Sequence, residues 1–180
     1  MGKKAAILVV ILAAGLGFGY FFGIAKNKKE IKAEDVVAAS GGHMPAPEDA
    51  IKDFKRRIAA NPKDAEAMAR LGDLYFENSR FDEAIAEYKK AVALNPKDID
   101  TINDLGLAYL YVGKKDEAVK ELEKGSKVDP MYQRIWLSLG FAYVSNGNKD
   151  KAREAWQRAA AMDPASPVGK ESKKFLEQFK

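Results

Sequence analysis

The sequence predicts an all-α protein: a solenoid of about three and a half helix-turn-helix repeats, closed by a capping helix and preceded by one transmembrane helix. Three observations carry this. Proline, leucine, glycine, tyrosine and alanine recur in place at a step of 34 from residue 62 onward. Prolines and glycines fall between the apolar stretches, where helices must stop and turn. Ala5–Ile24 runs twenty residues without a charge.

Composition narrows the chemistry. The 180 residues contain no cysteine and one histidine. That removes disulfides, thiolate metal sites and a cysteine nucleophile, and leaves too few imidazoles for a catalytic zinc. No glycine-rich phosphate loop and no Ser–His–Asp set appears, so neither an enzyme nor a cofactor is expected. Hydrophobic residues make up 47% and charged residues 31%, too apolar a mixture for wholesale disorder. The net charge of +4 is placed unevenly. Residues 1–47 hold six lysines against three acids, while residues 48–180 hold 24 basic and 23 acidic side chains. A nearly neutral folded part argues against a nucleic-acid surface.

The first element, residues 1–24, reads as a membrane anchor. Twenty helical residues span about 30 Å, the thickness of a bilayer's hydrocarbon core. The run exceeds the apolar region of a cleaved signal and ends in Tyr20, Phe21 and Phe22, which suit a membrane interface. Gly15, Gly19 and Gly23 stack on one helix face. That face either packs a second copy or a partner's helix, or reflects the abundance of glycine in such segments. Orientation stays open. Lys26, Lys28, Lys29 and Lys32 after the span outnumber Lys3 and Lys4 before it, which favours a cytoplasmic domain. A single basic N-terminal span also looks like an uncleaved export signal. The reading adopted is a single-pass inner-membrane protein with a periplasmic domain, the cytoplasmic arrangement being its alternative. Residues 25–47 form a tether, broken by Ser40-Gly41-Gly42-His43-Met44-Pro45-Ala46-Pro47. His43 there reads as solvated rather than as a metal ligand.

The repeats occupy residues 48–180. Pro62, Pro96, Pro130 and Pro164 keep the step, as do Gly72, Gly106 and Gly140. So do Tyr75, Tyr109 and Tyr143, and then Ala84, Ala118 and Ala152. A leucine precedes each glycine, and Met68, Ile102 or Trp136 stands three positions before that leucine. Tyr88, Leu122 or Trp156 follows each alanine by four. Each unit, 65–98, 99–132 and 133–166, therefore reads as two short helices. The small residues let the two helices approach, and the aromatic or leucine side chains fill the space beside them. Gly113 and Gly147 suit a left-handed turn between helices, and Asn78-Ser79 takes that place in the first unit, with asparagine the tolerant residue. Residues 48–62 read as the second helix of a half unit, with Ala50, Ile51, Phe54 and Ile58 on one face. Residues 167–180 read as the capping helix, with Val168, Phe175, Leu176 and Phe179 as its apolar stripe. Eight helices result after the anchor. Gly125 stands where Ala91 and Ala159 occupy the matching places, so Gly125→Ala is expected to raise the melting temperature.

This pattern resembles the tetratricopeptide repeat, W-x2-L-G-x2-Y followed by A-x3-F and P. The resemblance implies a concave groove lined by the first helix of each unit. The positions it would place there include Asp73, Phe76, Asn103, Leu107, Leu110, Tyr111, Arg134, Leu137, Phe141 and Val144. They make an apolar trough that is acidic toward its N-terminal end. Some family members clamp a partner's terminal carboxylate with Lys, Asn and Arg. The corresponding places here hold Ala69, Asp73, Asp104, Arg134 and Ser138, of which only Arg134 fits. The partner expected is a peptide or amphipathic helix of a client protein, bound by a membrane-tethered adaptor. The whole chain is similar to envelope repeat subunits of cytochrome c maturation and nitrite-reductase haem assembly. The competing reading is a cytoplasm-facing receptor or scaffold, and a further one has the groove filled by the tether.

Overall fold

The computed structural model describes residues 47–179. Among them are eight helices and no strand: α1 Pro47–Ala60, α2 Ala65–Glu77, α3 Phe81–Leu94, α4 Ile99–Tyr111, α5 Lys115–Val128, α6 Gln133–Ser145, α7 Lys149–Met162 and α8 Pro167–Gln178. No helix among the described residues is long and apolar enough to cross a membrane. The anchor predicted at 1–24, with Gly15, Gly19 and Gly23, lies outside the described residues, as does nearly all of the tether.

Helix starts follow from side-chain caps. Asp64 and Asp98 accept hydrogen bonds from the N–H groups of Ala67 and Thr101, at 2.9 and 3.2 Å. Asn148 and Ser166 do the same for α7 and α8. The first helix of each unit ends in a double hydrogen-bond pattern that a left-handed residue permits. Arg80 N donates to Tyr75 O at 2.8 Å, Lys114 N to Tyr109 O at 2.9 Å, and Asn148 N to Tyr143 O at 2.8 Å. Gly113 and Gly147 carry the left-handed conformation in the second and third units. In the first unit it falls on Ser79, at φ 60°, and not on Asn78, at φ −92°. The expectation placed the tolerant residue one position early, because the hydrogen-bond pattern and not the side chain sets the position.

Successive helices pack as antiparallel neighbours, and each pair closes on a glycine. A Cβ at Gly72 would lie 2.6 Å from the Tyr88 ring, at Gly106 2.4 Å from Leu122, and at Gly140 1.9 Å from Trp156. One core joins Ile51 of α1 to Leu71, Tyr75, Tyr88, Ile102 and Leu105. A second joins Leu122 to Ile135, Leu139 and Ala155. At the C-terminal end Phe175 of α8 stacks on Trp156, with ring centroids 5.3 Å apart, and covers the last repeat. The half unit and the cap thus seal the two ends of the described solenoid.

Gly125 corrects an expectation. A Cβ there would meet Ile102 Cγ2 and Ile135 Cδ1 at 2.9 Å, and both isoleucines are fully buried. The Ile102 methyl sits on a β-branched carbon and cannot swing aside without rotating χ1. Overpacking of this kind costs about 1–3 kcal/mol, more than the helix-propensity gain of about 0.5–1 kcal/mol. Gly125→Ala is therefore expected to lower the melting temperature in calorimetry. Ser79→Gly is expected to raise it by the equivalent of about 0.5–1 kcal/mol, since a non-glycine left-handed residue is strained there.

Candidate functional site

The first helices α2, α4 and α6 are sequential neighbours and place matching repeat positions side by side. On α4, Ile102, Leu105 and Ala108 turn into the first core. Asp100, Asn103, Asp104 and Leu107 share the opposite face, at the i, i+3, i+4 and i+7 spacing of a helix. The run Thr101–Ala108 is buried without interruption, so this helix is withdrawn from solvent all round.

None of the seven apolar groove residues is fully exposed. Leu107 and Leu137 are buried, at 3% and 2%. Phe76 and Leu110 are half-buried and lean on the first and second core respectively. Tyr111 packs edge-on to Phe76 and stacks on Phe81, with centroids 5.1 and 4.7 Å away. Phe141 meets Phe175 edge-on at 4.6 Å and so is bound into the C-terminal cap. Val144 is half-buried and stands in no core or aromatic cluster. The trough read from the sequence is thus a largely closed face with a half-buried rim.

The polar groups form two linked sets. Tyr88 OH donates to Asp73 Oδ1 at 3.0 Å, and Arg70 lies 3.5 Å from the other oxygen of that carboxylate. Tyr132 OH donates to Asp100. Arg134 lies 3.5 Å from Asp100 and 3.8 Å from Asp104, with its side chain 14% exposed. Asn103 Nδ2 approaches Asp104 Oδ1 at 3.4 Å. Burial pushes the Tyr88 and Tyr132 hydroxyls far above their ordinary range, and the neighbouring carboxylates reinforce the shift. Both remain protonated donors at any physiological pH. Among the described residues two buried polar atoms find no hydrogen-bond partner, Asn103 Oδ1 and Glu87 Oε2.

Asp73 thus belongs to the first set, and Asn103 and Arg134 belong to the second. Sequence reading missed the two tyrosine hydroxyls and Phe81. Departures from the period could have revealed them. Tyr132 stands where Asp64 and Asp98 cap the other units, and Phe81 stands where Lys115 and Lys149 follow. Among the described residues no cluster of three or more His, Cys, Asp or Glu is placed to hold a metal ion.

Comparison with known proteins agrees with this architecture. A family model described as TPR repeat matches residues 72–113, and one described as tetratricopeptide repeat matches residues 103–167. The described domain is a tetratricopeptide-repeat solenoid. No curated protein matches the chain in sequence. Among solved structures, the repeat solenoid is similar to the crystal structure of MamA at 23% identity, covering 83% of this chain and 93% of that one with a TM-score of 0.65. It is also similar to the first repeat domain of Spaghetti (RPAP3) bound to the HSP90 peptide SRMEEVD, at 19% identity over 64% of this chain and 89% of that one, TM-score 0.60. A third is PcrH in complex with the chaperone-binding region of PopD, at 19% identity over 63% and 89% of the two chains, TM-score 0.60. At these identities the likenesses show the shared fold.

Tyr88→Phe removes the donor that holds Asp73, whose side chain is 13% exposed. The expected loss is about 1–2 kcal/mol of stability, seen as a lower denaturant midpoint at unchanged slope.

Proposed function

We propose that this chain is a protein-interaction adaptor that holds a segment of a client protein against the inner face of α2, α4 and α6. One observation carries the reading: the inner positions Phe76, Leu110, Tyr111 and Val144 of successive first helices are half-buried, so part of each side chain stays open along that face. Apolar side chains left partly open along one face suit contact with a partner. Two relatives of the same fold carry protein segments, the peptide SRMEEVD on RPAP3 and the PopD region on PcrH, which supports this use of the solenoid. The half-buried rim limits the apolar gain. Two or three anchors contribute about 5 kcal/mol before ordering costs, so affinity falls near micromolar.

The charge-free run Ala5–Ile24 supports placing this adaptor at a membrane by one N-terminal span, with the solenoid on the periplasmic side as an envelope assembly factor. A haem-assembly role of the cytochrome c maturation kind remains within that proposal. The lysines after the span favour the alternative, a cytoplasm-facing receptor or scaffold.

The absence of cysteine makes both parts testable by single substitutions. A photocrosslinker attached to Val144→Cys in intact cells is expected to yield a discrete protein adduct that the same probe at the outer-face position Lys124→Cys does not give. Equal adducts from both positions would rule out the inner face as the client site. Met131 is 74% exposed, so Met131→Cys reports orientation. In spheroplasts of a Gram-negative host a membrane-impermeant maleimide is expected to label it, and protection until lysis would favour the cytoplasmic alternative.

A further inference from the structure

We propose that residues 31–40 of this chain dock as a helix on the open face of α1 and complete a fourth helix pair, with Glu34 meeting Arg57 and Ala38 lying beneath Phe54. This goes beyond the adaptor reading and stands whether or not a client binds the inner face.

The open face is the first argument. α1 packs on α2 and sends Ile51 into the first core. Ala84, Ala118 and Ala152 of the later second helices are fully buried, and so are Tyr88, Leu122 and Trp156. The first helix of the same unit lies on these large residues, at Gly72, Gly106 and Gly140. One repeat step before Ala84 and Tyr88 stand Ala50 and Phe54, and both are only half-buried. Ala91, Gly125 and Ala159 are buried as well. Their counterpart in α1 is Arg57, whose side chain is 49% exposed. Positions closed in every complete unit are therefore open in α1, which has no first helix of its own among the described residues.

The occupant follows from where the chain continues. Three residues join the two helices of each complete unit. A turn of similar length before Pro47 returns the upstream chain along α1, at the high effective concentration that covalent linkage gives. One repeat step before Ala65–Glu77 lie residues 31–43. Val37 there takes the place of Leu71, Leu105 and Leu139, and Ala38 takes the glycine place with the next smallest side chain. Gly41 and Gly42 stop the helix about a turn early, which sets its end at Ser40.

Charge complementarity is the second argument. In the second unit Gly125 faces Ile102, and in the third Arg158 lies over the Trp136 ring at 3.9 Å. These two contacts show which places meet across a pair. In α1 the second-helix places hold Arg57 and Arg56, and the first-helix place holds Glu34. That first-helix place is large and apolar in all three complete units, as Met68, Ile102 and Trp136. It turns acidic where Arg57 replaces the small residue opposite. Asp64 already holds Arg57 at 2.6 Å, so the guanidinium is positioned, and its remaining donors suit a further carboxylate. Docked in this way, the segment adds a fourth first helix to the inner face. It leaves residues 25–30 as the free link and keeps the tether out of the groove.

The test uses the full chain, which has no native cysteine, dilute in an uncharged detergent under mild oxidation. Linked peptides are read by mass spectrometry. Glu34→Cys with Arg57→Cys is expected to close an intramolecular disulfide at least about tenfold faster than Glu34→Cys with Lys52→Cys. Lys52 is 71% exposed and lies about 140° round the helix from Arg57. Equal rates overturn the docking. Linkage between two molecules overturns it in favour of a second copy, and a faster bond from Glu34→Cys to Tyr111→Cys overturns it in favour of a tether in the groove. Glu34→Arg is expected to lower the melting temperature by about 2–4 °C and to lose most of that effect in an Arg57→Ala background. An unchanged melting temperature in the parent chain overturns the pairing of Glu34 with Arg57.

Discussion

Close approach of two helices at a glycine is the contact on which the rest of this solenoid depends. Within each unit a large side chain of the second helix lies on the glycine of the first, Tyr88 on Gly72, Leu122 on Gly106 and Trp156 on Gly140. Any side chain at the glycine would overlap the one that covers it. The spacing within a pair is thereby set, and with it the stacking of one pair on the next. Two of the three covering residues also carry a polar tip. Tyr88 reaches Asp73 and Trp156 Nε1 reaches Leu137 O at 3.2 Å, so the packing contact and the inner face are parts of one arrangement.

Most of the fold was legible because its causes are local. The step of 34 and the prolines that end second helices are local signals, and the sequence displays them directly. The two misreadings concern matters that a single helix does not decide. Ser79 and not Asn78 is left-handed because the hydrogen bonds to Tyr75 and Phe76 select the position. Gly125 is small because Ile99, Ile102 and Ile135 from two other helices converge on it. The matching alanines show that the fold tolerates a methyl where the neighbours are smaller or placed differently.

The inner face was legible in register and illegible in depth. Periodicity puts Asn103, Leu107, Leu110 and Tyr111 on one side of α4, while Leu110 packs against the second core. Exposure depends on what neighbouring elements place against the face, which leaves no periodic signal. Phe141 illustrates this. By register it lines the groove, yet Phe175 of the final helix holds it at 4.6 Å and binds it into the cap. Residues that break the period proved more informative than those that keep it, since Tyr132 and Phe81 each replace a polar repeat residue with an aromatic ring aimed at the face.

The same repeat position on the inner face holds Asp73, Leu107 and Phe141 in the three units, and the second-helix position behind the glycine holds Tyr88, Leu122 and Trp156. The two positions change together in character. The acid stands with the hydroxyl that hydrogen-bonds it, leucine stands with leucine, and phenylalanine stands with tryptophan at a centroid distance of 5.7 Å. A polar inner residue over an apolar covering residue would leave a buried group without a partner, and the reverse would strand a hydroxyl. The chemistry of the face is therefore specified in pairs, one residue from each helix of a unit. Asp73 in the first unit and Asp100 in the second each accept a hydrogen bond from a tyrosine hydroxyl, of Tyr88 and Tyr132 respectively. In the third unit Phe141 meets Trp156 edge-on, and Phe175 of α8 stacks on that tryptophan.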